Sequence, residues 1–489
     1  MKFLNWGLRL AKLLLGGAVL AGSADRGACA DYFTDNGFGN PLSTIHHPSG
    51  EHYKGSTYIA YQGPHEDAYV CAYNHATKKW TGPVLAGINP MGKTPDPVDN
   101  SELDNHGKPA MMVDRNGFIH LAFGAHGGNP MLGRNAFGTS AGFGHGGKLT
   151  HIVSSHPEDI SSWRILENIS PFGTYPQFVQ MDDGDIYLFY RHGTHQSDWV
   201  YQKSSDDGLT FSRPVSVLKH KLQAKGTLHD AWYAWFAKGL GDTITTSYIY
   251  HPCSYPGHTK DRLNVYYMKM NGADDSWENA AGEKLTIPVT REYADRKSLI
   301  FDSGKDRCNH GTCHVDQEGN PHVMFRHGAG QVRYTRWTGS SWTQPIAVIP
   351  GEGAGQDGDM IVESTADVRM LLLNSGNNRN EVAWWRTSDG GRTWGKERSI
   401  FSKPGGGCEM GALIENFTTD AMVVFSEGRV PGHLYRKMVL LGKEGPVQRP
   451  DAEVSHVQKQ LDVLKESGAK PAPKEDRAAK KARKKADDE

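Results

Sequence analysis

The sequence lacks any apolar segment that could form a membrane-spanning helix once an N-terminal leader is set aside. The apolar run at 13–20 is eight residues long, whereas a helix needs about twenty residues to cross a bilayer. Long helical periodicity is also scarce, while the 489 residues include 57 Gly, 25 Pro and 12 Trp. This pattern favours many short strands joined by turns, and all-β propellers of such length can remain single domains.

Cysteines are few, and their number argues against a full set of disulfides. Six are present, and Cys29 lies within the predicted leader, which leaves five. An odd number of cysteines in an exported protein does not fit a complete disulfide framework. The five are Cys71, Cys253, Cys308, Cys313 and Cys408.

The first thirty residues have the pattern of an export signal. Basic side chains precede the short apolar run, and the tripeptide Ala-Cys-Ala at 28–30 is a small-residue cleavage site. We predict a secreted or periplasmic protein with no transmembrane segment after cleavage; the alternative interpretation of the leader is a membrane anchor. The predicted divisions are a signal peptide at 1–30, a propeller domain at 31–449, and a charged tail, helical and then disordered, at 450–489.

Positive charge is concentrated at the two ends of the chain. The first thirty residues carry a net +3 and the last sixteen a net +2, so a formal total of −1 leaves about −6 for the region between them. A body of that sign does not attract polyanions through its overall field. We therefore predict no nucleic-acid partner, and we expect a monomer that would hold any anionic polymer through local Arg, Lys and His.

One long motif occurs twice. The segment DNHGKPAMMVDRNGFIHLAFGAHGG begins at Asp104, and a degraded copy, RCNHGTCHVDQEGNPHVMFRHG, begins at Arg307. Both copies contain Asn-His-Gly, Val-Asp-x-x-Gly, a short apolar strand and His-Gly, which places His106, His126 and His310 at equivalent points of a repeat. Self-similarity divides the chain into seven units of roughly 40–60 residues, the length of a four-stranded blade. The predicted fold is a single, all-β, seven-bladed β-propeller.

Two turns support the propeller prediction. Residues 204–211 and 387–394 fit the Asp-box pattern, Ser/Thr-x-Asp-x-Gly-x-Thr-aromatic. In this turn the Asp and Thr side chains hydrogen-bond the hairpin backbone and the aromatic ring packs inward. The pattern indicates a fold and carries no chemistry of its own.

Four polar residues occupy positions from which they can share a site. His106 and His126 are twenty residues apart at the two ends of one repeat, Tyr175 begins the next unit, and Arg191 ends a strand of that unit. The ends of the innermost propeller strands gather around the central channel. We therefore expect these four side chains to converge.

The chemistry of this set differs from that of a glycoside hydrolase, because it contains no pair of carboxylates. It suits β-elimination at a uronic acid. A cation on the uronate carboxylate would stabilise the enolate-like charge that develops when the C5 proton leaves. A neutral His or an ionised Tyr would remove that proton, and a protonated partner would donate one to the O4 leaving group.

These residues resemble those of the ulvan lyases of the BNR-type seven-bladed propeller group, polysaccharide lyase families 24 and 25. The resemblance rests on the Asn-His-Gly start, the paired histidines, and Tyr175 followed sixteen residues later by Arg191 in YRHG, and it covers about residues 31–445. It implies a secreted lyase that cleaves ulvan, a sulfated rhamnose and uronic acid polymer, at the rhamnose 3-sulfate–uronic acid linkage, leaving an unsaturated uronate end.

The resemblance also implies residue roles. His106 and Tyr175 would be the proton-transfer pair, in an order that the sequence leaves open, and Arg191 would neutralise the uronate carboxylate. His126 would support or share the role of base. Tyr233 lies where the family places a tyrosine that contacts the substrate.

A second group of residues has the composition of a zinc site. His251 and Cys253 are two apart, so on a strand they point the same way, and two further cysteines and two histidines follow at 308–314. Thiolates and imidazoles suit a closed tetrahedral structural zinc site, and the family resemblance implies zinc in this region. The alternatives are a disulfide between Cys308 and either Cys253 or Cys313, or buried free thiols. The predicted ligands are His251, Cys253, Cys308 and Cys313, with His310 and His314 in reserve.

Two other functions compete with the lyase. A non-catalytic carbohydrate-binding propeller would keep the fold and part of the site. A sialidase-like hydrolase is suggested by the Asp boxes, but sialidases need three arginines, the first near the start of the propeller. No arginine occurs between Asp31 and Asp114, so the sialidase is the least favoured of the three hypotheses.

Overall fold

The computed structural model describes residues 28–91, 103–138, 146–195, 197–221, 228–254, 262–309, 311–350, 356–373, 380–404, 407–428, 434–454 and 457. Within these residues the chain consists mainly of β-strands, with one α-helix, α1 (Arg291–Lys297), and 3-10 helices at Pro64–Glu66, Pro130–Leu132 and Asp451–Glu453. No helix in these ranges is both long and apolar enough to span a membrane. The all-β prediction is confirmed.

The strands are numbered in chain order. Those of the N-terminal half are β1 (Cys29–Ala30), β2 (Thr34–Phe38), β3 (Gly50–Tyr53), β4 (Ser56–Gln62), β5 (Ala68–Asn74), β6 (Lys79–Gly87), β7 (Ala110–Val113), β8 (Ile119–Ala125), β9 (Gly147–Ser154), β10 (Trp163–Leu166), β11 (Thr174–Gln180), β12 (Ile186–Arg191), β13 (Trp199–Ser204), β14 (Val215–Leu218), β15 (Leu228–Lys238), β16 (Thr243–Ser254) and β17 (Leu263–Asn271).

Those of the C-terminal half are β18 (Ser276–Glu278), β19 (Lys284–Leu285), β20 (Leu299–Phe301), β21 (Cys308–Asn309), β22 (Cys313–Val315), β23 (Pro321–His327), β24 (Gln331–Arg336), β25 (Ile346–Ala347), β26 (Gln356–Val362), β27 (Val368–Leu373), β28 (Glu381–Thr387), β29 (Gly395–Ser402), β30 (Cys408–Thr418), β31 (Ala421–Glu427), β32 (Tyr435–Gly442), β33 (Gly445–Pro446) and β34 (Arg449–Pro450).

Most sheets are antiparallel meanders of consecutive strands. Four-stranded sheets are formed by β7–β10, β11–β14 and β26–β29, while β15–β20 and β21–β25 form larger ones. A further sheet runs β2-β32-β31-β30-β3-β4-β5-β6, and its two meanders meet where Glu51 pairs in parallel with Glu415. The hydrophobic core lies between successive sheets; one cluster, for example, joins residues of β4 and β5 to residues of β7 and β8. A strand such as β12 is therefore buried along its whole length.

The repeated Val-Asp-x-x-Gly motif forms the same turn in both copies. Asp114 accepts hydrogen bonds from the backbone N–H groups of Asn116 and Phe118, both at 2.8 Å. Asp316 accepts the equivalent bonds from Glu318 at 3.0 Å and Asn320 at 2.8 Å. Each carboxylate also lies 3.4 Å from the Nε2 of the histidine six residues later. The two copies are therefore structural repeats.

Both Asp boxes have the predicted geometry. The carboxylate of Asp206 accepts from the Thr210 backbone N–H at 2.9 Å and from its hydroxyl at 2.7 Å. The corresponding distances from Thr393 to Asp389 are 3.0 and 2.6 Å. Each carboxylate ties the two sides of a hairpin together, as the pattern predicts.

The chain's N-terminal strands complete its C-terminal sheet, which the sequence-based division did not anticipate. β2 pairs antiparallel with β32, and β1 pairs with β34. Cleavage after Ala30 would remove β1, and the predicted boundary between 449 and 450 falls inside β34. Residues 1–27 and most of the predicted tail lie outside the described residues.

A cavity of about 710 Å³ opens among strands from different sheets. Its lining includes residues of β3, β7, β11, β15, β22, β26 and β30. His47 lies at this cavity, where its Nε2 is 2.8 Å from Gln177 Oε1 and its ring stacks on Trp235. The neighbouring His46 contacts the ring of Tyr175 instead, so these two consecutive side chains have different surroundings, His47 at the cavity and His46 beside Tyr175.

Candidate active site

The four residues expected to converge do lie together. His106 precedes β7, His126 follows β8, Tyr175 lies in β11, and Arg191 is the last residue of β12. The ring centroids of His106 and Tyr175 are 5.4 Å apart, and the Arg191 Cζ lies 4.9 Å from the centroid of the Tyr175 ring. Tyr233 in β15 joins them, because its ring centroid is 5.7 Å from that of Tyr175.

His106 and His126 form a stacked histidine pair. Their ring centroids are 3.7 Å apart and their planes differ by 11°. Asp104 bridges both rings: His106 Nδ1 lies 2.5 Å from Asp104 Oδ1, and His126 Nδ1 lies 2.9 Å from Asp104 Oδ2. One carboxylate thus contacts the same nitrogen of each imidazole.

The surroundings of His106 and Asp104 favour a neutral His106 imidazole beside an ionised Asp104 carboxylate. Burial would raise the pKa of Asp104, but the hydrogen bonds from His106 and His126 outweigh it and hold this pKa far below its usual range. Burial, and then the neighbouring His126, lower the pKa of His106 to about 4. At neutral pH the His106 ring is therefore in the form that can accept a proton.

Tyr175 is presented to the site by an irregular stretch of β11. The register of the β11–β12 pairing shifts between Thr174 and Gln177, and Tyr175 has a φ of +61°. A positive φ is unusual for a bulky residue, and strain of this kind clusters at functional sites. Burial, and then the neighbouring Tyr233, raise the pKa of Tyr175 well above its ordinary value, so this hydroxyl keeps its proton.

Arg191 is a buried cation whose donors are unused by the surrounding described residues. Its side chain is fully buried, and none of its three guanidinium nitrogens has a hydrogen-bond partner of ordinary geometry within the described part of the chain. It contacts the faces of Tyr175 and Tyr233, with its Cζ 5.5 Å from the centroid of the latter. A desolvated guanidinium with five donors is suited to bind a carboxylate.

Tyr233 lies between two guanidinium groups. Arg262 Cζ is 4.4 Å from its ring centroid, closer than Arg191, and its hydroxyl is 3.4 Å from His195 Nε2. Burial alone would raise the pKa of Tyr233, but the charges of Arg191 and Arg262 more than offset it, so this pKa lies below its ordinary value. Of the two neighbouring tyrosines, Tyr233 is the more easily ionised.

Comparison with known proteins gives the family. Residues 56–347 match the sequence model of the BNR repeat-containing family. An ulvan lyase of Nonlabens ulvanivorans is 43% identical over 440 residues, which cover 86% of this chain and 91% of that protein. The protein called Ulvan Lyase-PL25, from Pseudoalteromonas sp. (strain PLSV), is 42% identical over 445 residues, covering 88% of this chain and 89% of that protein. The chain is a member of the ulvan lyase family.

Solved structures within this ulvan lyase family share the fold. A PL25 ulvan lyase superposes with a TM-score of 0.82 at 40% identity, covering 87% of this chain and 98% of that one. The same values hold for a PL25 ulvan lyase structure bound to -[GlcA(1-4)Rha3S]-. The resemblance inferred from the sequence motifs is therefore confirmed at the level of family and fold.

Three residues of this ulvan lyase site escaped the sequence analysis. Asp104 lies two residues before His106 and was passed over as part of the motif, although the second copy has Cys308 at its position. That difference between two otherwise similar repeats was the signal that could have identified it. The other two are His46 and Arg262. His46 Nε2 donates to the His106 carbonyl at 2.9 Å, and Arg262 contacts Tyr233. Neither has a comparable sequence signal, because both come from other parts of the chain.

The four predicted zinc ligands do not form one site in this ulvan lyase family member. Cys308 pairs with His327 and Cys313 with Val323, so their Cα atoms are separated by four residues along β23, about 13 Å. That separation is too large for two thiolates of one tetrahedral zinc or for a disulfide. Both are free buried thiols, and Cys313 Sγ lies 3.3 Å from the Thr245 hydroxyl.

The remaining members of the predicted metal group are dispersed. His251 lies at the end of β16, where its ring centroid is 5.1 Å from that of His195 and 5.6 Å from that of Tyr233. His314 instead binds Asp359, with Nε2 2.8 Å from Oδ1. The side chain of Cys253 and the whole of His310 lie outside the described residues. The predicted set therefore needs correction, at least in its two later cysteines.

Proposed function

We propose that this protein is a secreted polysaccharide lyase that cleaves ulvan at the rhamnose 3-sulfate–uronic acid linkage by β-elimination and leaves an unsaturated uronate end. Its relatives are named ulvan lyases, and a related PL25 structure is bound to -[GlcA(1-4)Rha3S]-. The observation that carries the proposal is the buried guanidinium of Arg191 between two tyrosines and beside the stacked histidine pair.

Arg191 is the residue we assign to the uronate carboxylate. Burying a charge without a partner is costly, and the cost is recovered when a carboxylate of the substrate accepts the unused donors. The same contact stabilises the negative charge that moves onto the carboxylate as the C5 proton leaves. Arg191 therefore lowers the barrier to deprotonation as well as orienting the sugar.

His106 and Tyr175 are the residues we assign to proton transfer. His106 Nε2 takes the C5 proton, the electron pair of the C5–H bond forms the C4=C5 double bond, and the C4–O4 bond breaks. The departing O4 takes the hydroxyl proton of Tyr175, and proton exchange with solvent then restores both side chains. The raised pKa of Tyr175 suits an acid, and the neutral form of His106 suits a base. Substrate anions entering the site would strengthen that base.

The decisive experiment follows ultraviolet absorbance while purified protein acts on ulvan and, in parallel, on other uronate polymers. We expect a rise with ulvan, because the product carries a double bond conjugated with its carboxylate. Tyr175→Phe should abolish the rise and keep ulvan binding, whereas Tyr53→Phe, which removes a hydroxyl that donates to the Arg115 carbonyl away from the site, should behave as wild type. A rise only with another polymer would retain the chemistry and reject ulvan as substrate.

The two competing functions make different predictions in the same assay. A carbohydrate-binding propeller would bind ulvan without any absorbance change in the wild type. A sialidase-like enzyme would release a sugar without forming a double bond. The spacing of the site residues and the named relatives favour the lyase over both.

We further propose that the architecture is a seven-bladed propeller exported by a leader at 1–30. Seven strands from successive meanders line the 710 Å³ cavity, as innermost strands line a propeller's channel. The sheet that runs from β2 to β6, with β33 paired to β32, would then count as two blades that meet at Glu51 and Glu415. N-terminal sequencing of protein recovered from the culture medium tests the leader and the cleavage position.

We propose that any structural zinc is held by His251, Cys253 and His195 rather than by the two later cysteines. His195 and His251 are neighbours in the structure, and Cys253 lies two residues further along the same strand. Imidazole and thiolate ligands of this kind suit zinc. Metal analysis of purified protein should find zinc that Cys253→Ser loses and Cys313→Ser keeps; equal zinc content in both variants would reject this ligand set.

A further inference from the structure

We propose that Asp104 is a positioning residue that holds the stacked histidine pair in a single tautomer, with both Nδ1 atoms protonated and both Nε2 atoms acting as acceptors. The inference rests on the proposed function, since it gives Asp104 a task in the same site. It goes further by naming what prepares the base for its reaction.

The contacts of the carboxylate determine where the ring protons lie. Asp104 Oδ1 accepts from His106 Nδ1 at 2.5 Å and from the His106 backbone N–H at 3.1 Å, while Oδ2 accepts from His126 Nδ1 at 2.9 Å. An ionised carboxylate can only accept hydrogen bonds, so both Nδ1 atoms must donate. In a neutral imidazole the other nitrogen then carries the lone pair, which places an acceptor at each Nε2.

Hydrogen bonds to the backbone of Asp104 and to its neighbour Asn105 hold the carboxylate in place. The Asp104 backbone N–H donates to Glu66 Oε1 at 2.8 Å, and Glu66 is buried. The neighbouring Asn105 accepts from Lys108 Nζ at its carbonyl, at 2.8 Å, and from the Asn40 backbone at its side-chain oxygen, at 3.2 Å. The segment before His106 is thus held at several points, which keeps the carboxylate at one position relative to both rings.

The bridge also limits how much charge the pair can carry. Two imidazoles whose centroids are 3.7 Å apart repel each other if both are protonated, and one carboxylate balances one added proton. We therefore infer that the site holds one added proton at a time, received at His106 and balanced by Asp104. The C5 proton is the proton that the proposed reaction delivers.

A metal ion is the rival explanation of this group, because one ligand atom from each of Asp104, His106 and His126 can be chosen within 4.8 Å of the others. The geometry favours the bridge. Both carboxylate oxygens already accept from the rings, and nearly parallel rings direct their Nε2 lone pairs side by side rather than toward one point. Nearby Arg191 would also repel a cation.

The first test compares Asp104→Asn with Asp420→Asn. The side-chain amide of asparagine donates from its nitrogen, so at least one ring must turn its Nδ1 into an acceptor and move its proton to Nε2. We expect kcat on ulvan to fall about a hundredfold to ten-thousandfold, as for loss of an orienting carboxylate in other enzymes, with KM changed less than about threefold. Asp420 also binds a histidine Nδ1, that of His75 at 2.9 Å, but lies outside the site, and its variant should keep full activity.

A second readout separates positioning from a merely structural role. Asp104 favours the protonated form of His106, so its removal should lower the pKa of that ring and move the acid limb of kcat/KM to lower pH. Nitrogen NMR of histidine-labelled protein should show two rings with Nδ1–H in the wild type and a changed tautomer in Asp104→Asn. This measurement needs no substrate, so it tests the inference even if ulvan proves to be the wrong polymer.

The possible outcomes are distinct. Unchanged tautomers or a kcat within threefold of wild type in a folded Asp104→Asn protein would overturn the inference, and so would a bound metal ion that wild type and Cys253→Ser hold and Asp104→Asn loses. If that variant does not fold, Glu66→Gln takes its place, because the Glu66 carboxylate accepts the Asp104 backbone N–H and the amide weakens that hold. We then expect a smaller loss of kcat with the same direction of tautomer change, and wild-type values would count against the proposal.

Discussion

At the scale of single residues, Arg191 combines complete burial with donors that the described residues leave unused. Stability alone does not explain such an arrangement, since an unpaired buried charge is destabilising. The two aromatic faces that flank the guanidinium offset part of this cost through cation–π contacts. The remaining cost of burying the guanidinium is offset when a carboxylate binds to it.

Replacement of Arg191 should therefore affect catalysis more than folding. We expect Arg191→Ala to lower kcat/KM on ulvan by about two to three orders of magnitude, the range typical for one lost oxyanion donor. Arg191→Lys should recover only a small part, because an ammonium lacks the planar pair of donors. Absorbance kinetics measure both, with the exposed Arg164 replaced by alanine as control. A loss confined to KM would assign Arg191 to binding alone.

The site illustrates what a sequence can and cannot reveal at this scale. His106, Tyr175 and Arg191 were predictable because each lies at a recognisable point of a repeat or motif. The contact of Asp104 with both rings was not, because it depends on the side-chain rotations that stack His106 on His126. Arg262 follows β16 in the sequence and contacts Tyr233 only because the chain folds back. No local sequence pattern predicts that contact.

At the scale of elements, the repeated turns stabilise the sheets that carry the site. Asp114 and Asp316 are buried and accept hydrogen bonds from the backbone N–H groups of their turns. Leaving such a group unsatisfied costs about 1–3 kcal/mol. The carboxylates of the two copies therefore contribute to stability and lie away from the chemistry.

Alanine at either position should lower the free energy of unfolding with little change in kcat. We expect a loss of about 2–3 kcal/mol for Asp114→Ala, from two unsatisfied N–H groups. Asp316→Ala should lose at least as much, because Asp316 also accepts from the Thr365 hydroxyl at 2.7 Å. Denaturant unfolding measures this, with the exposed Glu167→Ala as a control expected within about 0.5 kcal/mol of wild type. Losses below that limit at Asp114 would show that solvent replaces its bonds.

Element types were predicted better than element partners. The two Asp boxes are local patterns and have the expected geometry, and the two Val-Asp-x-x-Gly copies form the same turn, as repeats should. The zinc prediction failed for Cys308 and Cys313 because proximity in sequence suggested a shared site. Their pairing with β23 depends on register, which separates them along the strand.

At the scale of the whole molecule, two meanders meet at a pair of carboxyl groups. Glu51 in β3 pairs with Glu415 in β30, and it accepts from the Val113 backbone at 2.7 Å and from Asn416 at 3.1 Å. Burial is the main cause that raises the pKa of Glu51 to about 8, and the nearby charges of Glu415 and Asp114 add to it. Glu415, which is exposed to the cavity, likewise has a raised pKa, chiefly because the surrounding protein desolvates it.

These raised pKa values predict a pH-dependent stability. A carboxyl whose pKa is higher in the folded state than in the unfolded state stabilises the fold fully below its unfolded pKa, and this contribution is lost as the pH rises through the folded value. We expect the free energy of unfolding to fall between about pH 5 and 8, and Glu51→Gln to flatten that slope. Denaturant titrations across this range measure it, with exposed Glu158→Gln as the control. An unchanged slope in Glu51→Gln would place the titration elsewhere.

The N-terminal strand β2 pairs with β32, so one sheet contains strands from both ends of the chain. This sheet cannot be completed until synthesis has passed residue 442, where β32 ends. The other sheets consist of strands that lie close together in sequence and can form earlier, so closure of this sheet comes last in the order of synthesis.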